Sequence, residues 1–126
     1  MEASNTTLFD LLGFEISYNQ EMKTCGIACS VHPLMLNPLQ IVHGGIHAYL
    51  ADTAFGYLTM KYKDAPYVSL EIKTSFLKAE NKGRLLANAR FVKDGNKVVF
   101  LACEVENEQH ELLSVTTGTF LRLGSG

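Results

Sequence analysis

Residues 45–62 read Gly-Ile-His-Ala-Tyr-Leu-Ala-Asp-Thr-Ala-Phe-Gly-Tyr-Leu-Thr-Met-Lys-Tyr and impose the first constraint on the fold. The run predicts one long helix, from about Gly45 to Tyr62, ending near Lys61, Lys63 and Asp64 with Pro66 beyond. Its residues Ala48, Leu50, Ala51, Ala54, Phe55 and Leu58 leave little polar surface, so the helix needs a sheet to cover it. The lone carboxylate in that run, Asp52, is costly to bury without a partner or a task. At the other end of the segment His43-Gly44-Gly45 opens the helix. Its backbone N–H groups sit where the helix dipole favours negative charge. Oxyanion donors and a carboxylate two turns apart on one helix point to acyl transfer.

The remaining segments are mostly strand-like. A short helix is predicted over Ser4–Leu12, with a Ser or Asn cap, apolar Leu8, Phe9, Leu11 and Leu12, and Gly13 as its stop. Alternation predicts strand from Phe14 to Val31, and Pro33 and Pro38 bound a loop over His32–Ile41. Four more strands are expected at Tyr67–Leu77, Arg84–Lys93, Lys97–Asn107 and Leu112–Leu123. The breaks between the last four are Glu80-Asn81-Lys82-Gly83, Asp94-Gly95-Asn96 and Glu108-Gln109-His110, and Asp94-Gly95 is the strongest hairpin signal. Their regular spacing implies an antiparallel meander.

Composition narrows the class. With 126 residues and 47% hydrophobic content the chain is expected to form one domain, residues 1–126, with a full core and no staples. A net charge of −2 argues against a nucleic-acid partner. No apolar run reaches membrane-spanning length, and Met1-Glu2-Ala3-Ser4 lacks the basic start of a signal peptide, so a cytoplasmic protein is expected. Cys25, Cys29 and Cys103 cannot all pair within one chain, and buried free thiols in a reducing compartment fit best.

The order of short helix, strands, one long helix opened by His-Gly-Gly, and four further strands resembles the hotdog-fold thioesterases. More narrowly, it is similar to the PaaI-like branch, the phenylacetic acid degradation and 4-hydroxybenzoyl-CoA thioesterase superfamily. The specific part is His43-Gly44-Gly45 followed by Asp52 nine residues after His43, with Asn37 six residues before it. The resemblance spans Phe9 to Leu121 and implies an α+β hotdog fold, about six antiparallel strands wrapped around one long central helix. It implies an acyl-CoA thioesterase acting on an aryl- or medium-chain thioester, with coenzyme A as part of the substrate and no other cofactor or metal. Asp52 is then the nucleophile or general base and Gly44 the oxyanion donor, beside Gly45. Asn37 and His43 line the site, and Ser69 orients water. The resemblance further implies a dimer, or a tetramer built as a dimer of dimers. In the dimer Asn37, His43 and Gly44 of one subunit face Asp52 and Ser69 of the other. Hydrolases of a neighbouring branch carry Glu where Asp52 stands and a hydroxyl residue one turn later; that later position is Gly56 here.

Plainer readings of the same residues stand beside this one. Asp52 can pair with a lysine or cap another element, His43 can be a structural histidine, and Gly44-Gly45 can be a tight turn. Asn37 before Pro38 is a common turn residue, and Thr74 or Ser75 can take the part of Ser69. His43 and His47 with Asp52 invite a metal reading, but no third ligand is evident. Lysines and arginines usually form a solvated surface. Arg90, Lys93 and Lys97 flank the hairpin expected to meet the coenzyme A phosphates. Two other functions fit the fold: a non-catalytic acyl-CoA-binding hotdog module, and a hydratase or dehydratase acting on acyl-carrier thioesters.

Overall fold

The computed structural model describes residues 7–124. Helix α1 (Leu8–Leu11) is followed by β1 (Glu15–Asn19) and β2 (Thr24–Ser30), then a short 3-10 turn at Pro33–Met35. Helix α2 (Gly44–Tyr62) precedes β3 (Tyr67–Phe76), β4 (Arg84–Asp94), β5 (Val98–Glu106) and β6 (Leu112–Arg122). The six strands form one antiparallel sheet in the order β1-β2-β4-β5-β6-β3, with α2 packed against β2 to β6 on one face. This is the hotdog arrangement. Among the described residues no helix is long and apolar enough to cross a membrane.

The start of the chain differs from the sequence expectation. Ser4 to Thr6 lie outside the described residues, and the cap of α1 is Thr7. Its side chain accepts from the Asp10 N–H while the Asp10 carboxylate accepts from the Thr7 N–H, each at 3.2 Å. This reciprocal capping box supports a helix only four residues long. The stretch Phe14–Val31 is two strands, broken by a turn in which Lys23 takes φ +53° and the Asn19 side chain accepts from the Met22 N–H. That break carries no glycine or proline, so composition gave no sign of it.

The expected meander is also only partly present. β4, β5 and β6 are consecutive neighbours, joined through the Asp94-Gly95 hairpin and the turn after Asn107. β3 does not pair with β4. It lies on the far side of β6 as an edge strand, and β2 takes the place beside β4. Residues 77–83 therefore cross the end of the sheet instead of turning back. Seven residues reach roughly 23 Å, ample for the roughly 14 Å across three strand spacings. The crossing is pinned along its length. Leu77 and Lys78 donate to the Leu113 carbonyl, Glu80 accepts from the Val42 N–H, and Gly83 accepts from the Val31 N–H. The buried Asn107 amide also donates to Glu80 and Glu111.

Helix α2 begins at Gly44, one residue earlier than expected, and its last turn closes on Lys63, whose N–H donates to the Thr59 carbonyl. Its stripe of His47, Leu50, Ala51, Ala54, Phe55, Leu58 and Thr59 is buried. Opposite it lie Ile27 of β2, Leu85, Ala87 and Ala89 of β4, Val99, Leu101 and Val105 of β5, and Phe120 of β6. Phe55 is fully buried and meets Phe120 edge to face at 5.7 Å. Beneath it Gly118 leaves the space the ring needs, since a Cβ there would lie 2.9 Å from the Phe55 ring. The three cysteines are buried and free, and burial raises Cys25 and Cys29 to about 11 and Cys103 to about 12.

Gly118→Ala should therefore overpack the helix–sheet contact and cost about 1–3 kcal/mol. Urea unfolding of the variant beside the parent measures the loss; an unchanged midpoint would show that Phe55 does not depend on this gap.

Candidate active site

The loop before α2 is held before the helix starts. Asn37 forms a turn of its own, its Oδ1 accepting from Leu39 and Ile41 N–H groups at 2.9 and 3.4 Å. Leu36 and Val42 form a bridge, and the His43 N–H donates to the carbonyl of fully buried Met35. His43 is then the helix cap. Its Nδ1 accepts from the Gly45 N–H at 2.9 Å, and its carbonyl accepts from Ile46. An Nδ1 that accepts leaves the proton of the neutral ring on Nε2, so exposed His43 presents an N–H donor outward.

The cap consumes the Gly45 N–H but not that of Gly44, which has no acceptor among the described residues. Gly44 borders a cavity of about 400 Å³ whose walls include Asn37, His47, Phe76 and Lys78. The Phe76 ring covers Gly44 so closely that a Cβ would lie 2.9 Å from it. An unengaged donor at the positive end of a 19-residue helix, on a residue with no side chain of its own, can receive an oxyanion.

Asp52 is half-buried, and among the described residues it has no hydrogen bond or ion pair. The plainer reading, in which it pairs with a lysine or caps another element, has no support in its surroundings. Burial raises its pKa above the ordinary carboxylate value. Eight residues separate Asp52 from Gly44, about 12 Å along the axis and about 80° around it. One chain therefore does not bring its carboxylate to its own Gly44 donor.

Ser69 stands on β3 opposite Phe120, and so on the helix side of the edge strand. A bulge at Leu70 shifts the alternation, so that Ser69, Ile72, Thr74 and Phe76 all share that side. Thr74 hydrogen-bonds Thr116 at 2.8 Å, whereas Ser75 is turned to the opposite face. Ser69 is exposed and seven residues from Phe76, towards the other end of the sheet from Gly44. The residues of the expected site thus fall into two separate groups, one half each: Asn37, His43 and Gly44 at the helix start, and Asp52 and Ser69 further along.

The three cations expected at the nucleotide are not at the Gly44 cavity of the same chain. Arg90 is on the outer face of the sheet, 3.5 Å from Glu104. Lys93 borders an outer-face groove with Val92 and Phe100, and Lys97 borders a separate groove at the hairpin end with Asn96 and Arg122. The lysine at the cavity is Lys78, ion-paired with Glu111. The site also contains His47 and Phe76, which sequence reasoning did not assign. A signal existed for His47, since it stands three residues after Gly44 and so one turn below it, but the metal reading absorbed it. Its Nδ1 bonds Ser114 Oγ at 2.8 Å, away from His43. Among the described residues no cluster of three metal-ligating side chains occurs.

Comparison with known proteins assigns the chain to a class. Residues 39–114 match the family model of the thioesterase superfamily. A protein of Archaeoglobus fulgidus named "Putative esterase" is 32% identical over 122 residues, covering 94% of this chain and 77% of its own length. Among solved structures, the Escherichia coli PaaI protein from the phenylacetic acid degradation operon superposes with a TM-score of 0.85. It is 26% identical, and the match covers 96% of this chain and 87% of that one. A thioesterase of Haemophilus influenzae superposes at 0.86 with 21% identity, over 95% and 85% of the two chains, a likeness of fold. The chain belongs to the thioesterase superfamily, as a PaaI-like hotdog protein, and it is a thioester hydrolase.

The unpaired carboxylate carries a stability cost with a definite sign. Burial lifts the folded-state pKa of Asp52 above its unfolded value of 3.8, so stability is lost as the pH rises from the unfolded value, and the full cost is present once the pH passes the folded-state one. Asp52→Asn should raise the thermal midpoint at neutral pH, and the gain should fade as the pH falls through the folded-state pKa towards the unfolded one. Thermal melts of both proteins between pH 3 and 8 test this; a lower midpoint for the variant at pH 7 would mean that Asp52 is paired.

Proposed function

We propose that two copies of this chain form a dimer that hydrolyses acyl-CoA thioesters, each active site combining the two half-sites from opposite subunits. The observation that carries this reading is the separation of an unengaged Gly44 N–H from an unpaired Asp52 by about 12 Å on one helix. A thioester carbonyl must touch both groups at about 3 Å, and a second copy can supply the missing one. β3 supports the same reading. It is a ten-residue edge strand without proline, and it exposes Val68, Leu70 and Phe76. Such an edge is a template for pairing. Antiparallel pairing of β3 with its copy creates a two-fold axis, and Asp52 lies on the flank of α2 with Ala48 and Phe55, the side packed towards β6 and β3.

In the proposed reaction the thioester carbonyl accepts from the Gly44 N–H of one subunit. Asp52 of the other either attacks the carbonyl carbon or takes a proton from an attacking water. In the first route the C–S bond breaks from the tetrahedral intermediate, the thiolate leaves, and water then opens the acyl-aspartyl anhydride. In the second, water gives a proton to Asp52 and adds to the carbonyl carbon, forming a different tetrahedral intermediate that bears a hydroxyl. Its C–S bond then breaks, and Asp52 returns the proton to the leaving thiolate, so the acid and thiol are the products. The raised pKa of Asp52 strengthens it as a base, while the fixed N–H holds the developing oxyanion. The outward His43 Nε2–H and the Asn37 amide bind and orient the thioester, and Ser69 orients water. The same two-fold carries the hairpin end of one subunit towards the Gly44 end of the other, which favours Lys97 over the outward-facing Arg90 and Lys93 for the coenzyme A phosphates. The acyl group is aryl or medium-chain, matched to a cavity of about 400 Å³.

Asp52→Asn should lower kcat by about 10²–10⁴-fold in thiol-release assays on a panel of aryl and straight-chain acyl-CoA thioesters. Asn37→Ala should also be impaired. Unfolding and refolding the two variants together should regain up to about a quarter of wild-type activity, because mixed dimers hold one site with all its groups. Mixtures no more active than the separate variants would exclude a shared site, and tight acyl-CoA binding without thiol release would favour a binding module.

A further inference from the structure

His47 is 3% exposed, and it lines the cavity beside Gly44. Its ring stands edge to face against Phe76 at 5.7 Å, and Phe76 is also the ring that covers Gly44. Its one hydrogen bond among the described residues joins Nδ1 to Ser114 Oγ at 2.8 Å, and Ser114 is completely buried. A buried hydroxyl needs an acceptor for its proton. Nδ1 is the acceptor available to Ser114 among the described residues, so Ser114 donates and the histidine proton resides on Nε2. That Nε2–H has no partner, yet among the described residues Tyr62 Oη is the buried side-chain polar atom that is both enclosed and unpartnered. Nε2 is therefore open, and the space His47 borders is the cavity. Burial lowers the pKa of the ring and keeps it neutral.

We infer that His47 is a specificity-determining residue whose Nε2–H donates a hydrogen bond to a neutral oxygen on the acyl group, so that the preferred substrates are acyl-CoA thioesters with an oxo or hydroxyl substituent. This rests on the assignment of Gly44 as the carbonyl donor. His47 lies one turn, about 4.5 Å, further into the protein than Gly44. The coenzyme A arm must lead from the carbonyl out to solvent, which leaves the inward side for the acyl group. There the walls are Ile41, Val42, Phe76 and Leu77, apolar except for this one inward donor and the rim groups Asn37 and Lys78. A purely hydrocarbon acyl group would strip water from the N–H and return nothing. A carboxylate would meet a neutral ring there, and the rim cation, Lys78, is already paired with Glu111.

The test compares straight-chain acyl-CoA thioesters of equal length, unsubstituted and with an oxo or hydroxyl group at successive positions. At least one oxygenated member should exceed its parent by about tenfold in kcat/KM. His47→Leu should bring the pair to near parity. His47→Gln should keep the preference, since its amide can accept from Ser114 and donate to the cavity. A separate readout needs no turnover: nitrogen NMR of histidine-labelled protein should show His47 as the neutral Nε2–H tautomer, shifted by the oxygenated product acid and not by its hydrocarbon analogue. Equal hydrolysis of all members would overturn the inference but not the thioesterase reading. Loss on every substrate alike in His47→Leu would assign the contact to the pantetheine arm and also overturn it. No hydrolysis of any member would remove both. If His47→Leu does not fold, the Gln variant and the NMR tautomer decide.

Discussion

The contact between α2 and the concave face of the sheet is the constraint on which everything else rests. A 19-residue helix that is apolar on nearly every side cannot remain in water, and a single layer of helix cannot cover it. The sheet supplies the cover by curling, and the helix reaches it closely because Phe55 sinks into the gap above Gly118. Burying a large side chain of this kind contributes about 1.5–3 kcal/mol, and α2 contributes three of them, Leu50, Phe55 and Leu58. The helix axis is fixed as a result, and with it the direction in which the first N–H groups point.

Catalytic potential follows from what this packing leaves unsatisfied. His43 caps the helix but takes only the Gly45 N–H, so Gly44 keeps a free donor in an electropositive position. Asp52 lies off the buried stripe, where it is shielded enough to raise its pKa yet finds no cation. Neither feature helps the monomer fold, and Asp52 opposes it. Local conflicts with stability of this kind are where function is expected. The crossing of residues 77–83 has a related consequence. It sends β3 to the outside of β6, and so exposes an edge strand that a second copy can pair with.

Much of this was legible in the sequence. The long helix, its His-Gly-Gly opening and its isolated carboxylate stood out because helix periodicity and a charge among apolar residues are local signals. The Asp94-Gly95 hairpin was legible for the same reason. The turn after Asn19 was not, since its left-handed residue is Lys23 and not glycine. His47 and Phe76 were missed as site residues because a histidine in a helix and a phenylalanine in a strand have no local signature of a shared wall; they stand 29 positions apart in the chain.

By itself the sequence determined which segments are helix and strand, which helix is central, and which groups have chemistry to offer. Those properties depend on side-chain periodicity and residue type within a few neighbours. Tertiary structure decided the strand order, the bulge that keeps Ser69 on the helix side, and the acceptor-free surroundings of Gly44 and Asp52 among the described residues. It also decided the hydrogen-bond partner of His47, a serine 67 residues away. Each of these depends on which distant segments meet, and that is set by the one packing that covers the helix while pairing the backbone of every strand but the two at the edges.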